Sequence, residues 1–244
     1  LCTMKIGVIG SGSWGTALVK ILTDNGHDVK WCVRNEKLAH HIQSRHHNPK
    51  YLSSVYFTTE HLHLTTDASE VYKEVEALLF AVPSAYVLNN IEPYLSLIHP
   101  DLTIVSAVKG VLPENNLLLN EWLNEKGLSA TPYVAIMGPC HAEEVAAEKL
   151  SYLTFGGLDV DRRDTIASAF KTPYINTVQG TDVNGVQYAA VLKNVYALGT
   201  GIANGLGYGD NFQSVLIANA AGEMERFLKT IAPDKSIQYA ASVY

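Results

Sequence analysis

An α/β protein, with a doubly wound and mostly parallel sheet followed by an all-helical second domain, is the fold this sequence predicts. Three observations carry it. Apolar strand-like runs alternate with helical patterns over the first 180 residues; a cluster of glycines separates the first strand from the first helix; and beyond Thr181 only helical patterns and one glycine-rich loop remain. With 244 residues, 47% of them hydrophobic, the chain can bury one or two substantial cores. The α/β domain is expected over 4–181 and the helical one over 182–244.

"KIGVIG" (5–10) reads as a short buried strand, and "WGTALVKILTDNG" as a helix closed near Gly26. "DVKWCV" is the next strand, completing a β-α-β unit of about 30 residues. Further strands are predicted over 77–82, 103–108 and 133–138. Helices are predicted over 85–97 and 113–126, with Pro113 in a first turn. Residues 40–67 show little period and are expected to form an irregular excursion over the sheet edge. "DVDRRDTIASAF" is a helix and "YINTVQG" the strand that ends the first domain. The remainder reads as helix, the loop "NGLGYGDN", and a second helix. Met4 reads as the natural start. "YAASVY" does not read as a finished tail, so the helical domain is expected to be truncated, the chain continuing past Tyr244.

Composition excludes several classes. A net charge of −6 without a basic run gives no reason to expect nucleic acid. Cys2, Cys32 and Cys140 are odd in number and lack C-x-x-C spacing, which argues against a disulfide scaffold or a cysteine zinc site and fits a reducing cytoplasm. No segment reaches about 18 continuous apolar residues, so no membrane span is expected. His40, His41, His46, His47, His61 and His63 have no set carboxylate or cysteine partner; they read as solvated residues, and no metal is expected.

"GSGSWG" places Gly10, Gly12 and Gly15 in the G-x-G-x-x-G pattern, directly after a strand and opening a helix. Such glycines permit a tight turn, close backbone approach to a pyrophosphate, and close helix–strand packing. Gly10, Ser11, Gly12, Ser13, Trp14 and Gly15 are therefore expected at an NAD or NADP site, with Trp14 and Phe80 as neighbours and Pro83 shaping the loop near the nicotinamide. At the end of the second strand Arg34 and Asn35 stand where an acid often binds the ribose 2′-hydroxyl. Arg34 either pairs with a 2′-phosphate or only stacks on adenine.

Lys109 in "SAVKG" lies just past a parallel strand, where ligands of such sheets collect; the alternative is an ordinary loop lysine. Lys193 shares a helical face with Val186, Ala189, Ala190 and Ala197. An ammonium there meets a ligand or snorkels to water, and Asn194 stands beside it. Hydride addition to a carbonyl leaves charge on oxygen, which an ammonium stabilises and protonates.

Taken in order, "GSGSWGTAL", "HNPKYL", "FAVPS", "SAVKG", "MGPCHAEEVA" and "YAAVLKNVYALGTGIANGLGYGDN" resemble the NAD(P)-dependent glycerol-3-phosphate dehydrogenases of bacterial type. The resemblance implies interconversion of dihydroxyacetone phosphate and sn-glycerol 3-phosphate, supplying phospholipid backbones, by a cytoplasmic protein that pairs as a homodimer. It makes Lys193 the proton donor with Asn194 beside it, puts Lys109 in the substrate charge network, Gly138 at substrate or cofactor, and Ala142 at the cofactor. Glu144 is a weaker candidate. It also implies that further substrate-site residues lie past Tyr244, so that a truncated chain binds cofactor but turns over poorly. Cys140 and His141 depart from the usual residues; adjacency in sequence rarely aligns a thiolate with its base. The competing readings are a related dehydrogenase for another hydroxy or keto substrate, and a non-catalytic dinucleotide-binding protein.

Overall fold

The computed structural model describes residues 3–231. β1 (Lys5–Ile9) is followed by α1 (Ser13–Asp24), β2 (Asp28–Cys32), α2 (Glu36–Arg45), β3 (Leu62–Thr65), β4 (Ala77–Phe80), α3 (Val87–Ile91) and β5 (Thr103–Ser106). Then come α4 (Leu119–Glu125), β6 (Tyr133–Met137), α5 (Ala142–Ala146), β7 (Ser151–Gly157), α6 (Val160–Ala169), β8 (Ile175–Gly180), α7 (Val183–Gly205) and α8 (Asp210–Ile231). The strands form one sheet in the order β3-β2-β1-β4-β5-β6-β7-β8. Every neighbouring pair is parallel except β6 with β7.

Both faces are covered, which is why the central strands are apolar throughout rather than alternating. Leu18, Ile21 and Leu22 of α1 pack with Ile166 of α6 and the following Phe170 on one face. Val87, Ile91, Leu119, Trp122 and Leu123 cover the other. The strand order reverses between β1 and β4, so their carboxyl ends open a crevice there.

Several expectations need correction. Residues 40–67 are not wholly irregular: α2 occupies their start, and the short β3 adds an edge strand to β2. The helix expected over 85–97 holds α geometry only in α3, because Pro93 enters the next turn and Glu92–Leu97 winds as a 3-10 helix. The helix expected from Pro113 starts at Leu119 instead. Asn116 adopts a left-handed φ of 60°, and the Glu121 carboxylate accepts the Leu118 N–H at 2.9 Å, which fixes the helix start there. β7 was not foreseen, and it makes the sheet mixed.

The expectation of a truncated helical domain is also corrected. α7 and α8 form over 23 and 22 residues, and α8 folds back along α7. Ala189, Met224 and Leu228 close the seam, with the Tyr188 and Phe227 rings 5.7 Å apart. α7 meets the sheet through its first two turns, where Val186 and Ala190 pack on Ala135 and Met137 of β6. Farther along, Val195, Leu198, Ile202 and Leu206 are exposed. The anchorage of α7 on the sheet therefore lies before Lys193.

Candidate active site at the carboxyl ends of the strands

The turn between β1 and α1 needs its glycines for different reasons. Gly10 has φ +124°, and a Cβ there would run into the Ala81 carbonyl. A Cβ on Gly15 would collide with the Gly10 carbonyl oxygen, so this glycine lets α1 press onto the turn. Around Gly12 nothing lies within 4 Å. Gly12 caps α1 without a side-chain hydrogen bond, which leaves the first helical N–H groups free for an anion. The Trp31 indole donates to the Gly10 carbonyl at 2.9 Å and holds the turn in place.

A cavity lies on either side of this turn. One, about 370 Å³, is lined by Gly12, Ser13, Trp14, Pro83, Lys109 and Ala142 among others. The second, about 430 Å³, lies past the end of β2 and is lined by Ser11, Arg34, Lys37, His41, Lys50 and Tyr51 among others. Buried Asn48 links the second cavity to the turn: its amide donates to Thr16 Oγ1 at 2.9 Å and to the Ser11 carbonyl at 3.3 Å, while its oxygen accepts the Lys50 and Tyr51 N–H groups. Arg34 was expected near a cofactor ribose. Lys37, Asn48, Lys50 and Tyr51 were not singled out; the only signal for the last three was the quoted "HNPKYL" block.

Lys109 leaves the end of β5, and its Nζ lies 5.1 Å from the centre of the Trp14 ring. Its pKa is lowered, first by desolvation and then by the nearby charge of Lys193, with Cys140 opposing. The charges of two lysines far apart in sequence thus act on one another. Among the described residues no carboxylate pairs with either. Lys193 is half-buried, with Val186, Ala189 and Ala190 buried on its side of α7 and Ala197 exposed.

Other expected residues are placed less directly. Asn194 is exposed on α7. Gly138 is buried and does not line the cavity; a Cβ there would come within 2.5 Å of the Tyr152 carbonyl oxygen. The Phe80 side chain is wholly buried in the core below the strand ends and does not line the cavity. Glu144 is exposed and pairs with Lys149 at 3.2 Å. Burial pushes the Cys140 thiol pKa up, and Sγ donates to the Tyr152 carbonyl at 3.0 Å, so this sulfur is a protonated donor rather than an activated nucleophile. His41 and His47 meet through their Nε2 atoms at 3.2 Å, and His61 pairs with Asp28. No group of three or more His, Cys, Asp or Glu is arranged to hold a metal ion among the described residues. None of the described helices is long and apolar enough to cross a membrane.

The vacant space over Gly12, the uncapped start of α1, and the buried Trp14 Nε1 that has no hydrogen-bond partner all fit a bound dinucleotide. This arrangement is that of an NAD(P)-dependent dehydrogenase. Comparison with known proteins agrees. Residues 5–161 match the family model of the NAD-dependent glycerol-3-phosphate dehydrogenase N-terminus, and residues 182–243 that of its C-terminus. The chain belongs to this glycerol-3-phosphate dehydrogenase family, and the C-terminal match overturns the expectation of a member lacking that part.

A glycerol-3-phosphate dehydrogenase [NAD(P)+] of Nitratidesulfovibrio vulgaris is 36% identical over 227 residues, covering 91% of this chain and 68% of the relative. A glycerol-3-phosphate dehydrogenase crystal structure from Coxiella burnetii superposes with a TM-score of 0.87 at 27% identity, covering 94% of this chain and 70% of that one. A Dunaliella salina structure shares the fold at a TM-score of 0.88 and 24% identity, and this chain spans 43% of its length.

Proposed function

We propose that this protein reduces dihydroxyacetone phosphate to sn-glycerol 3-phosphate, with Lys193 as the proton donor. The observation that supports it best is Lys109 in the lining of a cavity bounded by the glycine turn, its ammonium acted on by the charge of Lys193, with neither lysine paired with a carboxylate among the described residues. The reduced nicotinamide supplies the hydride to the carbonyl carbon. Lys193 stabilises the charge growing on the carbonyl oxygen and gives it a proton, so that C=O becomes CH–OH. Lys109, held over Trp14, adds the second positive charge for an anionic substrate. Trp14, Pro83 and Ala142 wall the cavity, and Gly12 with the start of α1 receives the pyrophosphate. Residues 4–181 form the cofactor-binding unit in this reading, and residues from 182 carry the proton donor.

The second cavity supports a finer reading. Arg34, Lys37 and Lys50 line it without an acidic residue among the lining groups, a setting that suits the 2′-phosphate of NADPH. Glu36, next in sequence to Asn35, is hydrogen-bonded to Thr66 instead.

The test is oxidation of NADPH and NADH, followed at the nicotinamide absorbance, with dihydroxyacetone phosphate as the acceptor. Oxidation that requires this substrate supports the reading. Cofactor binding without oxidation would transfer support to a different substrate or to a non-catalytic role.

A further inference from the structure

One chain of side-chain hydrogen bonds joins the sheet, α4 and the start of α7. The Tyr133 hydroxyl donates to Gln187 Oε1 at 2.9 Å, and Gln187 Nε2 donates to Asn120 Oδ1 at 2.8 Å. Asn120 Nδ2 donates to Asn184 Oδ1 at 2.8 Å, and Asn184 Nδ2 reaches Glu121 Oε1 at 3.4 Å. Every donor points the same way. The phenol at one end has a pKa raised by burial and stays a donor; the carboxylate at the other end only accepts, and its second oxygen holds the Leu118 N–H. These two ends fix the orientation of all three amides between them.

Gln187 is 3% exposed, and its Nε2 also donates to the Val183 carbonyl at 3.1 Å. The apolar contacts that seat α7 are small. Val186 and Ala190 rest on Ala135 and Met137, and Val186 also lies over Gly156, where a Cβ would come within 2.9 Å of it. Small smooth side chains resist separation from the sheet but barely resist rotation of the helix on it. The directional bonds of Asn184 and Gln187 supply that resistance.

Lys193 lies two helical turns beyond Val186 on the same face, about 10 Å along the axis. Rotating α7 by about 10° carries a side chain at a radius of about 6 Å through about 1 Å. A displacement of that size is enough to cost about 100-fold in rate.

We propose that the chain Tyr133–Gln187–Asn120–Asn184–Glu121 sets the rotation of α7 and thereby positions Lys193 opposite Lys109. This inference rests on the reading of Lys193 as proton donor. Gln187 and Tyr133 are positioning residues: they act through the helix and do not touch the reacting atoms.

The test compares Gln187→Leu and Tyr133→Phe/Gln187→Leu with the parent chain. Leucine leaves the buried Tyr133 hydroxyl without its acceptor and Asn120 Oδ1 without its donor; the double substitution removes the first of these defects and restores part of the stability without restoring direction. Gln187→Leu should lower kcat by about 10- to 100-fold at unchanged cofactor Kd. Its Lys109 titration, followed by NMR of side-chain carbon-labelled lysine, should move up as Lys193 turns away. The double variant should regain part of the melting temperature but neither kcat nor the parent titration. Wild-type kcat and Lys109 titration in Gln187→Leu, or recovery of both with stability in the double variant, would overturn the proposal. If Gln187→Leu does not fold, Tyr133→Phe alone carries the same readouts. If the parent chain does not turn over dihydroxyacetone phosphate, the substrate assignment fails, and the Lys109 titration still decides the positioning role.

Discussion

Alanine placed at Gly12 or at Gly15 adds the same methyl group to the same turn, and the structure predicts different outcomes. At Gly15 the new Cβ strikes the Gly10 carbonyl oxygen and lies 3.0 Å from its carbon, so α1 must move off the turn. Overpacking of this kind costs about 1–3 kcal/mol, offset in part by the roughly 1 kcal/mol that alanine gains over glycine inside a helix. A net loss of up to about 2 kcal/mol lowers the melting temperature of a chain this size by up to about 8 °C.

At Gly12 the backbone, with φ −78° and ψ −177°, accepts any residue, and the Cβ meets nothing within 4 Å. Stability should change by about 0.5 kcal/mol, the usual difference between glycine and alanine at an N-cap. The methyl instead fills the space through which a pyrophosphate approaches the helix start. Losing one charge-assisted hydrogen bond, about 1.5–3 kcal/mol, weakens cofactor binding by about 10- to 100-fold. Circular dichroism melts and NADPH fluorescence titrations separate the two effects. Wild-type cofactor affinity in Gly12→Ala, or a melting temperature as low as that of Gly15→Ala, would refute this reasoning.

Three further outcomes follow from the charges. Arg34→Ala combined with Lys37→Ala should weaken NADPH binding by at least about tenfold more than NADH binding, one charge-assisted contact's worth; equal losses in paired titrations would remove the 2′-phosphate role. Burial opposes a charged Lys20, but hydrogen bonds to Asp24 and Glu148 outweigh it and raise its pKa above the ordinary 10.5. The resulting stability is present at neutral pH and lost as pH rises through the folded pKa. Lys20→Met should therefore melt below wild type at pH 8, with a gap that narrows above pH 10.5; a gap independent of pH would contradict this. Lys109 has the opposite sign. Its lowered folded pKa means that charging it costs stability, fully below that pKa and not at all above the unfolded one. Lys109→Met should melt higher than wild type at pH 7 and approach it near pH 10; a lower melting point at pH 7 would contradict the burial argument.

Local pattern was enough to read the first β-α-β unit, because strand, glycine turn and helix each carry their own signal in residues 5–32. It was not enough where a single residue diverts the chain. Asn116 and Pro93 reshape segments whose apolar spacing alone suggested longer helices. β7 escaped because a strand antiparallel to its neighbour follows the short α5 rather than a full crossover helix, so the expected alternation gives no cue. In the proposed site, Lys109 and Lys193 carry local signals, a strand end and an apolar helix face, and the structure puts Lys109 in the cavity lining. Lys37, Lys50 and Asn48 were not, since their approach to the glycine turn depends on the path of the loop after α2. The Tyr133–Gln187 link is wholly tertiary: its residues lie 54 apart in sequence and belong to no local motif.

The most direct test of the central claim is single-turnover reduction of dihydroxyacetone phosphate by Lys193→Ala with saturating NADPH, beside a cofactor titration of the same variant. Loss of a positioned proton donor predicts a rate lower by about 100- to 10,000-fold with cofactor affinity unchanged. A rate within a few-fold of wild type would contradict the assignment of Lys193.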